Sequence, residues 1–381
     1  MTSRHIYTIV FTLLPLTSCS PVKHLDNGLT LYTGIMRREW AVADSLDDVE
    51  RDALPDTRTE VEAVLAYAPT GSLFGSSSVH LPSSPGVMFY NLFADSKSRF
   101  GKWMFSSFAK APVTLTDANP RTRVLIAKNT LRSYGYLRGD VGFEILRDKK
   151  PQRAHVAYSV KPGTLFRLDS VEFRGFPTLM DSLLSATHGK SLLQRGNPFT
   201  VPALDGERTR ISTLMRNRGY YYFSPDIITY QADTIQRPGY AQLRVQPAAG
   251  ITPETLRRYY IGRTDITLLE YGNYNIIDSI PRARRDSTLQ RKALSKKRRS
   301  TLPRLHLKMR YSSSTDKSPL RLSAMRKYLT YREGLPYHHG MMERVEQQLS
   351  AMGVFSHVQL QMVPQNDSPD CDTLMVRLLA I

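Results

Sequence analysis

The apolar positions along this chain repeat in a pattern of helix, glycine and strand that occurs three times. In each copy an apolar residue precedes a glycine by four positions, and alternating residues follow; the glycines are Gly135, Gly219 and Gly353. Only glycine takes up a left-handed conformation at low cost, so a glycine directly after a helical pattern predicts the end of that helix. The alternation that follows predicts a strand, and it is clearest over residues 358–362.

Further elements surround each glycine in the same order. A second alternating run follows each strand, over residues 154–160, 240–245 and 373–379. A short segment with a glycine or proline precedes each helix: Lys110-Ala111-Pro112-Val113, Gly196-Asn197-Pro198-Phe199 and Gly334-Leu335-Pro336-Tyr337. We therefore expect an α+β fold, a tandem array of three β-α-α-β-β modules in which two helices cover a small mixed three-stranded sheet.

The spacing of the glycines sets the expected domain boundaries. Gly135 and Gly219 are 84 residues apart, whereas Gly219 and Gly353 are 134 apart, so the third module carries an insertion. The expected segments are a signal peptide at 1–19, a tether at 20–28, modules at 29–163, 164–249 and 250–381, and a basic insertion at 272–317. The first module also holds an inserted aromatic segment, residues 88–113, which either packs against that module or offers a surface to a client polypeptide.

Positive charge is concentrated in the insertion. The 381-residue chain has a formal net charge of +18, and residues 282–310 contain twelve Lys and Arg against one Asp. A solvated loop, contact with anionic lipid head groups and nucleic-acid binding all stay open for this stretch. The residues that would contact lipid are Arg284, Arg285, Lys296, Lys297, Arg298 and Arg299.

The N-terminus has the pattern of an export signal. A short polar start and an apolar run over residues 6–14 lead to Leu16-Thr17-Ser18-Cys19-Ser20, which resembles a bacterial lipobox. That resemblance implies that a diacylglyceryl group alkylates the thiol of Cys19 and that the chain is cleaved before this residue. Two or three acyl chains, palmitate among them, suffice for stable anchoring. The alternative is an ordinary secretory signal that contains a cysteine. The only other cysteine is Cys371, so a disulfide framework or a cysteine-based metal site is excluded.

The repeated unit resembles the polypeptide-transport-associated (POTRA) domain of the BamA/TamA outer-membrane assembly family. The Gly-Asn-Pro-Phe and Gly-Leu-Pro-Tyr segments, Gly219-Tyr220 and Gly353-Val354-Phe355 carry the resemblance. The lipobox and Leu31-Tyr32-Thr33-Gly34 are most similar to the lipidated TamA-like branch (TamL) of Bacteroidetes-type bacteria. The resemblance implies the periplasmic part of an outer-membrane assembly or translocation factor, lipid-anchored in the outer membrane, with unfolded outer-membrane proteins and a TamB-like periplasmic protein as partners.

Two features depart from the family. No long series of alternating segments of about ten residues follows Val363. We therefore expect either a fragment of a longer protein or a stand-alone periplasmic lipoprotein that recruits a TamB-like partner. The basic insertion is the second departure, and it leaves an anionic-lipid or nucleic-acid surface binder as a further alternative.

The candidate site is an exposed strand edge. In the resembling domains the second strand lies at an edge, which here implies residues 140–147, 221–231 and 354–361. An extended client can pair with such an edge through its main chain. The middle module is the first candidate for such an edge, because Pro225 cannot donate to a ladder and so favours an edge strand. The candidate residues are Tyr221, Tyr222, Phe223, Ile227, Ile228 and Tyr230.

Catalytic motifs are missing from the sequence. His338-His339 lacks the i, i+4 spacing of a zinc-binding helix, and no HExxH, CxxC or Gly-x-Ser-x-Gly pattern occurs. We expect no enzyme activity, no metal and no cofactor.

Overall fold

The fold is described by a computed structural model of the chain. It describes residues 28–72, 85–149, 152–269, 307–312 and 322–381, together with Val22 and Leu25. Three groups of helices and strands follow one another along these ranges, and we call them the first, middle and third modules. No helix within these ranges is both long enough and apolar enough to cross a membrane.

The elements of each module appear in nearly the predicted order. The first module contains β1 (Leu31–Trp40), α1 (Asp48–Leu65), α2 (Pro85–Phe93), α3 (Arg99–Phe108), α4 (Leu115–Ala118), α5 (Pro120–Ser133), β2 (Asp140–Arg147) and β3 (Arg153–Lys161). The middle module contains β4 (Arg167–Phe173), α6 (Thr178–Ala186), α7 (Val201–Arg216), β5 (Ile228–Asp233) and β6 (Tyr240–Pro247). The third module contains β7 (Tyr260–Leu269), β8 (Leu307–Ser312), α8 (Leu322–Tyr328), α9 (His339–Ser350), β9 (Val358–Pro364) and β10 (Thr373–Ala380).

The three sheets share the arrangement β1-β3-β2, β4-β6-β5 and β7-β10-β9, and the third sheet has a further strand, β8, beside β7. In the first sheet β3 is parallel to β1 and antiparallel to β2, and in the third sheet β10 is parallel to β7 and antiparallel to β9. The predicted α+β array of three small mixed sheets is therefore confirmed.

The third sheet has one strand more than the predicted three. Strand β8 comes from the predicted insertion 272–317 and pairs in parallel with β7. It extends the sheet on the side of β7 and leaves β9 at the opposite edge.

The repeat glycines end their helices as predicted. Gly135, Gly219 and Gly353 have φ values of +91°, +108° and +67°. In the first module the N–H of Tyr136 donates to the carbonyl of Leu131 at 3.0 Å, and the N–H of Gly135 donates to Arg132 at 3.1 Å. This pair of bonds is a Schellman motif, which satisfies two carbonyls that the helix end leaves without partners.

The short segment before the last helix of each module pairs with the first strand, which the sequence did not predict. It pairs with the start of the module's first strand through the isolated bridges Leu31↔Thr114, Arg167↔Pro198 and Tyr260↔Pro336. In the middle module the N–H of Leu168 donates to Asn197 O at 2.9 Å; in the third, Ile261 donates to Leu335 O at 2.8 Å. The segment therefore covers part of the first strand's outer edge.

Separate hydrophobic cores support the first and third modules. In the first, Tyr32 of β1, Leu65 of α1, Leu131 of α5 and Val156 of β3 are buried together. In the third, the buried residues come from its strands and helices alike, including Ile266, Met325, Val345, Leu349 and Leu374. Apolar side chains from helices and sheet thus share one core in each of these modules, as the helical and alternating patterns predict.

Internal contacts divide the chain into two compact units. The first comprises Met1–Val171, Leu193–Leu204 and Ala232–Leu243, and it contains the first sheet. The second comprises Glu172–Leu192, Asp205–Gln231 and Arg244–Ile381, and it contains the third sheet. The three expected domain boundaries stay predictions.

Candidate functional site

Strand β2 presents an open row of main-chain groups. It is the last strand of the first sheet, and its boundaries match the predicted range 140–147. The ladder register pairs Asp140 with Lys161 and Arg147 with Ala154, and the N–H of Asp148 donates to Arg153 O at 3.0 Å. Because hydrogen-bonded and non-hydrogen-bonded pairs alternate in antiparallel ladders, every second residue turns its N–H and C=O away from β3. These residues are Val141, Phe143, Ile145 and Arg147.

Strand β9 presents the same kind of edge in the third module. The N–H of Gln365 donates to Thr373 O at 2.9 Å, and that of Ile381 donates to His357 O at 2.9 Å. The residues whose main chain faces outward are therefore Val358, Leu360 and Met362, and Pro364 closes the strand at an outward position. The strand begins four residues later than the predicted range 354–361.

Backbone bonds outside the ladders do not reach these outward groups from any residue that the structure describes. Side-chain exposure differs between the two strands. Ile145 of β2 is 43% exposed, whereas Val358 of β9 is only 6% exposed because it packs into the core. The main-chain edges of β2 and β9 are thus free of backbone partners within the described residues.

The predicted edge of the middle module was partly wrong. Tyr221, Tyr222 and Phe223 do not lie on a strand, because β5 begins only at Ile228. Pro225 fixes its own φ and has no N–H, and it starts a short 3-10 turn over Pro225–Ile227 instead of extending the strand.

The first two of these tyrosines belong to an aromatic cluster within the second compact unit. The ring of Tyr221 lies 5.0 Å from that of Tyr337, and the ring of Tyr222 lies 5.2 Å from that of Tyr259. Burial raises the pKa of Tyr337 to about 12. Phe223 is fully enclosed, at 1% exposure. These residues stabilise the fold around the start of the third module.

The other predicted residues of the middle module lie at an edge that is already capped. Ile227 and Ile228 are buried, and Tyr230 is half-buried. The carbonyl of Ile228 accepts a hydrogen bond from Nε of Arg208 at 3.1 Å. The same guanidinium lies 4.9 Å from the ring of Tyr230. A charged side chain over an edge carbonyl blocks strand addition, so β2 and β9 are better candidates than β5.

Several predicted sites lie outside the described residues. These are the lipidation site Cys19 and the lipid-contact residues Arg284, Arg285, Lys296, Lys297, Arg298 and Arg299. In the described ranges no group of three or more His, Cys, Asp and Glu side chains is placed to hold a metal ion.

The structural neighbours of the chain are tandem POTRA domains. Haemophilus influenzae BamA POTRA3-5 matches with a TM-score of 0.36 and 12% identity, over 93% of this chain and 98% of that one. The N-terminal domain of Omp85 from Thermosynechococcus elongatus matches with a TM-score of 0.25 and 13% identity, over 93% and 98%. POTRA1-3 of the periplasmic domain of Omp85 from Anabaena matches with a TM-score of 0.25 and 10% identity, over 93% and 96%. No family model matches the chain, and no curated protein is significantly similar to it.

Proposed function

We propose that the chain is a scaffold that binds extended polypeptide segments by adding them to the edges of β2 and β9. The observation that carries this proposal is the pair of ladders whose outward N–H and C=O groups have no backbone partner among the described residues. An extended segment satisfies such groups through its own main chain, which every sequence offers. Binding of this kind discriminates little between clients.

The expected affinity is low. Each main-chain hydrogen bond contributes about 0.5–1.5 kcal/mol net, and ordering a flexible client costs part of that gain. The four outward residues of β2 therefore support weak, reversible binding. When a long client has bound one edge, the second edge is present at a high effective concentration, so a client that reaches both edges binds more tightly than to either alone.

The cellular setting is part of the proposal. Residues 16–20 resemble a lipobox, which supports a lipid-anchored protein facing the periplasm from the outer membrane. Unfolded outer-membrane proteins would then be the clients, and the chain would serve an outer-membrane assembly or translocation factor of the BamA/Omp85 kind. The TamA-like branch is supported only by residues 16–20 and 31–34.

Proline substitution at an outward position tests the strand-binding proposal. Ile145→Pro removes one outward N–H without removing a ladder bond, whereas Ile145→Ala keeps that N–H and removes the same side chain. The probe is a labelled synthetic peptide of about ten alternating apolar and polar residues, typical of a strand. Fluorescence anisotropy measures its Kd.

We expect Ile145→Pro to weaken peptide binding and Ile145→Ala to leave it close to wild type. The same comparison at Leu360 tests β9. Circular dichroism confirms that each variant keeps its fold. If both proline variants, separately and combined, bind the peptide as tightly as their alanine counterparts, main-chain pairing at these edges is refuted.

A further inference from the structure

The inserted aromatic segment of the first module folds into two consecutive helices with an exposed apolar surface. We call α2, α3 and the two residues that follow them the aromatic hairpin, residues 85–110. Leu92, Phe100, Trp103 and Phe108 are 66%, 65%, 55% and 49% exposed. None of the hairpin's side chains belongs to the hydrophobic core of the first module as described. The expectation that this segment packs against the module does not account for these exposed side chains.

The exposed rings are continuous across both helices. Phe89 of α2 lies 5.5 Å from Phe108 of α3, measured between ring centroids. Trp103 lies 6.0 Å from Phe108 and 6.0 Å from Phe100. Leu92 follows Phe89 by three residues and so shares its face of α2. The result is one apolar surface rather than a set of scattered exposed residues.

The opposite side of α2 is buried. Val87 and Asn91, which are four residues apart and share a helix face, are 4% and 8% exposed. The N–H of Lys110 donates to Gly86 O at 2.9 Å, which ties the end of the hairpin to its start. One side of α2 is therefore buried, and the other side carries aromatic and aliphatic side chains.

The aromatic hairpin has a net positive charge. Residues 85–110 contain Lys97, Arg99, Lys102 and Lys110 against the single acidic residue Asp95, a formal charge of +3. In α3, Trp103 follows Arg99 by four residues and shares its helix face, whereas Phe108 lies on the side of the helix opposite Arg99. Long basic side chains beside an apolar face carry their charges outward while their stems cover apolar surface.

This combination selects an anionic membrane surface as the occupant. An exposed Trp beside Arg, on a hairpin with a net positive charge, suits the interface of a bilayer, where indole rings lie at head-group level and basic side chains meet anionic lipid. A second copy of the hairpin would bring two positive surfaces together. An extended polypeptide would find no sheet edge on two helices, so main-chain pairing is not available to it.

We propose that the aromatic hairpin lies in the head-group region of an anionic phospholipid bilayer, with Leu92, Phe100, Trp103 and Phe108 among the acyl chains. The basic residues then contact the lipid phosphates. The site needs no acyl chain on the protein, and it is separate from the strand edges of β2 and β9.

The fluorescence of Trp103 tests this proposal directly. The chain has two tryptophans, so Trp40→Phe leaves Trp103 as the sole indole. The test uses the full chain with Trp40→Phe and Cys19→Ala, so that no acyl chain contributes to binding. The vesicles are phosphatidylethanolamine with one quarter phosphatidylglycerol, and pure phosphatidylcholine vesicles are the comparison. Emission wavelength and quenching by bromine-labelled acyl chains locate the indole.

We expect a blue shift and acyl-chain quenching with the anionic vesicles, both weakened by salt. The double variant Phe100→Ala/Phe108→Ala should lower partitioning at least about tenfold, because two exposed aromatic side chains no longer enter the bilayer. Lys102→Glu should also lower it. The matched control is Ile235→Ala, because Ile235 is 89% exposed elsewhere in the same compact unit; this variant should partition like the parent.

Three results would overturn the proposal. The first is an emission spectrum that does not change with anionic vesicles. The second is equal partitioning of the parent and the Phe100→Ala/Phe108→Ala variant. The third is a blue shift that depends on protein concentration or on added client peptide and occurs without lipid, which would assign the surface to a protein partner.

Discussion

Gly135 combines a left-handed backbone with close contact to the start of the middle module, and replacing it by alanine should be costly. Its φ is +91°, and a Cβ built there would lie 2.9 Å from Cδ1 of Leu165 and 2.9 Å from the backbone carbonyl of Phe199. A backbone carbonyl cannot rotate away as a side chain does. Gly196 has nearly the same φ, +88°, but nothing lies within 4 Å of its Cβ position. Gly196→Ala is therefore a matched control that carries the conformational cost without the clash.

The expected free-energy changes distinguish backbone strain from overpacking. A left-handed conformation costs a non-glycine residue about 1–2 kcal/mol, and the loss of unfolded-state freedom on replacing glycine returns about 0.4–1 kcal/mol. Gly196→Ala should thus lower the free energy of unfolding by about 1 kcal/mol. Overpacking adds about 1–3 kcal/mol at Gly135. We therefore expect Gly135→Ala to cost about 3 kcal/mol.

Urea unfolding followed by hydrogen-exchange mass spectrometry measures both changes, since peptides from each module are followed separately. With an m-value of about 2 kcal/mol per molar urea, the difference of about 2 kcal/mol separates the two midpoints by about 1 M. Equal losses for Gly135→Ala and Gly196→Ala would refute the close contact and leave backbone strain as the whole effect.

Two further predictions concern charged groups of the second compact unit. The carboxylate of Glu207 is fully buried and forms an ion pair with Arg210 at 2.6 Å. Glu207→Ala should therefore lower the free energy of unfolding, measured in urea, by about 3 kcal/mol. Asp205→Ala removes a similarly spaced but exposed pair and should cost less than about 1 kcal/mol; an equal loss for both would contradict the role of burial. Burial and the charge of Arg216 lower the pKa of His339, although the carboxylate of Glu343 acts the other way. The imidazole therefore binds its proton more tightly in the unfolded chain than in the folded one, so the free energy of unfolding should fall as the pH drops below the ordinary pKa near 6.5. His339→Gln should reduce this fall in urea titrations at several pH values. An unchanged pH dependence in the variant would contradict the role of His339.

The module repeat could be predicted because its signals are local. A left-handed glycine after a helical pattern has few alternatives, and all three repeat glycines have positive φ. The strand range 140–147 coincides with β2 because its alternating pattern meets no proline. The first-third-second strand order places the second strand at an edge in all three sheets.

The packing of Tyr221 and Tyr222 could not be predicted from local sequence patterns. An aromatic residue after the glycine fits a strand that enters a sheet, and it fits equally well a ring that packs against another segment far along the chain. The partners Tyr259 and Tyr337 lie 38 and 116 residues beyond Tyr221 in the sequence, and no local pattern links them. The Arg208 cap on Ile228 was missed for the same reason, because it depends on how α7 lies against β5. Strand β8 was missed because it is separated from β7 by 37 residues.

The repeat glycines also explain how modules are joined while edge strands stay open. The carbonyl of Gly135 accepts a hydrogen bond from the N–H of Phe166 at 2.9 Å within the first compact unit, and the carbonyl of Gly219 accepts one from Tyr259 at 2.7 Å within the second. The connection between consecutive modules therefore uses the turn before the second strand and not the strand itself. Strand β2 begins five residues after Gly135, beyond this junction, so joining the modules consumes none of its outward N–H and C=O groups. The proposed scaffold function needs this separation, because a junction formed by strand pairing would fill the edge that we propose for clients.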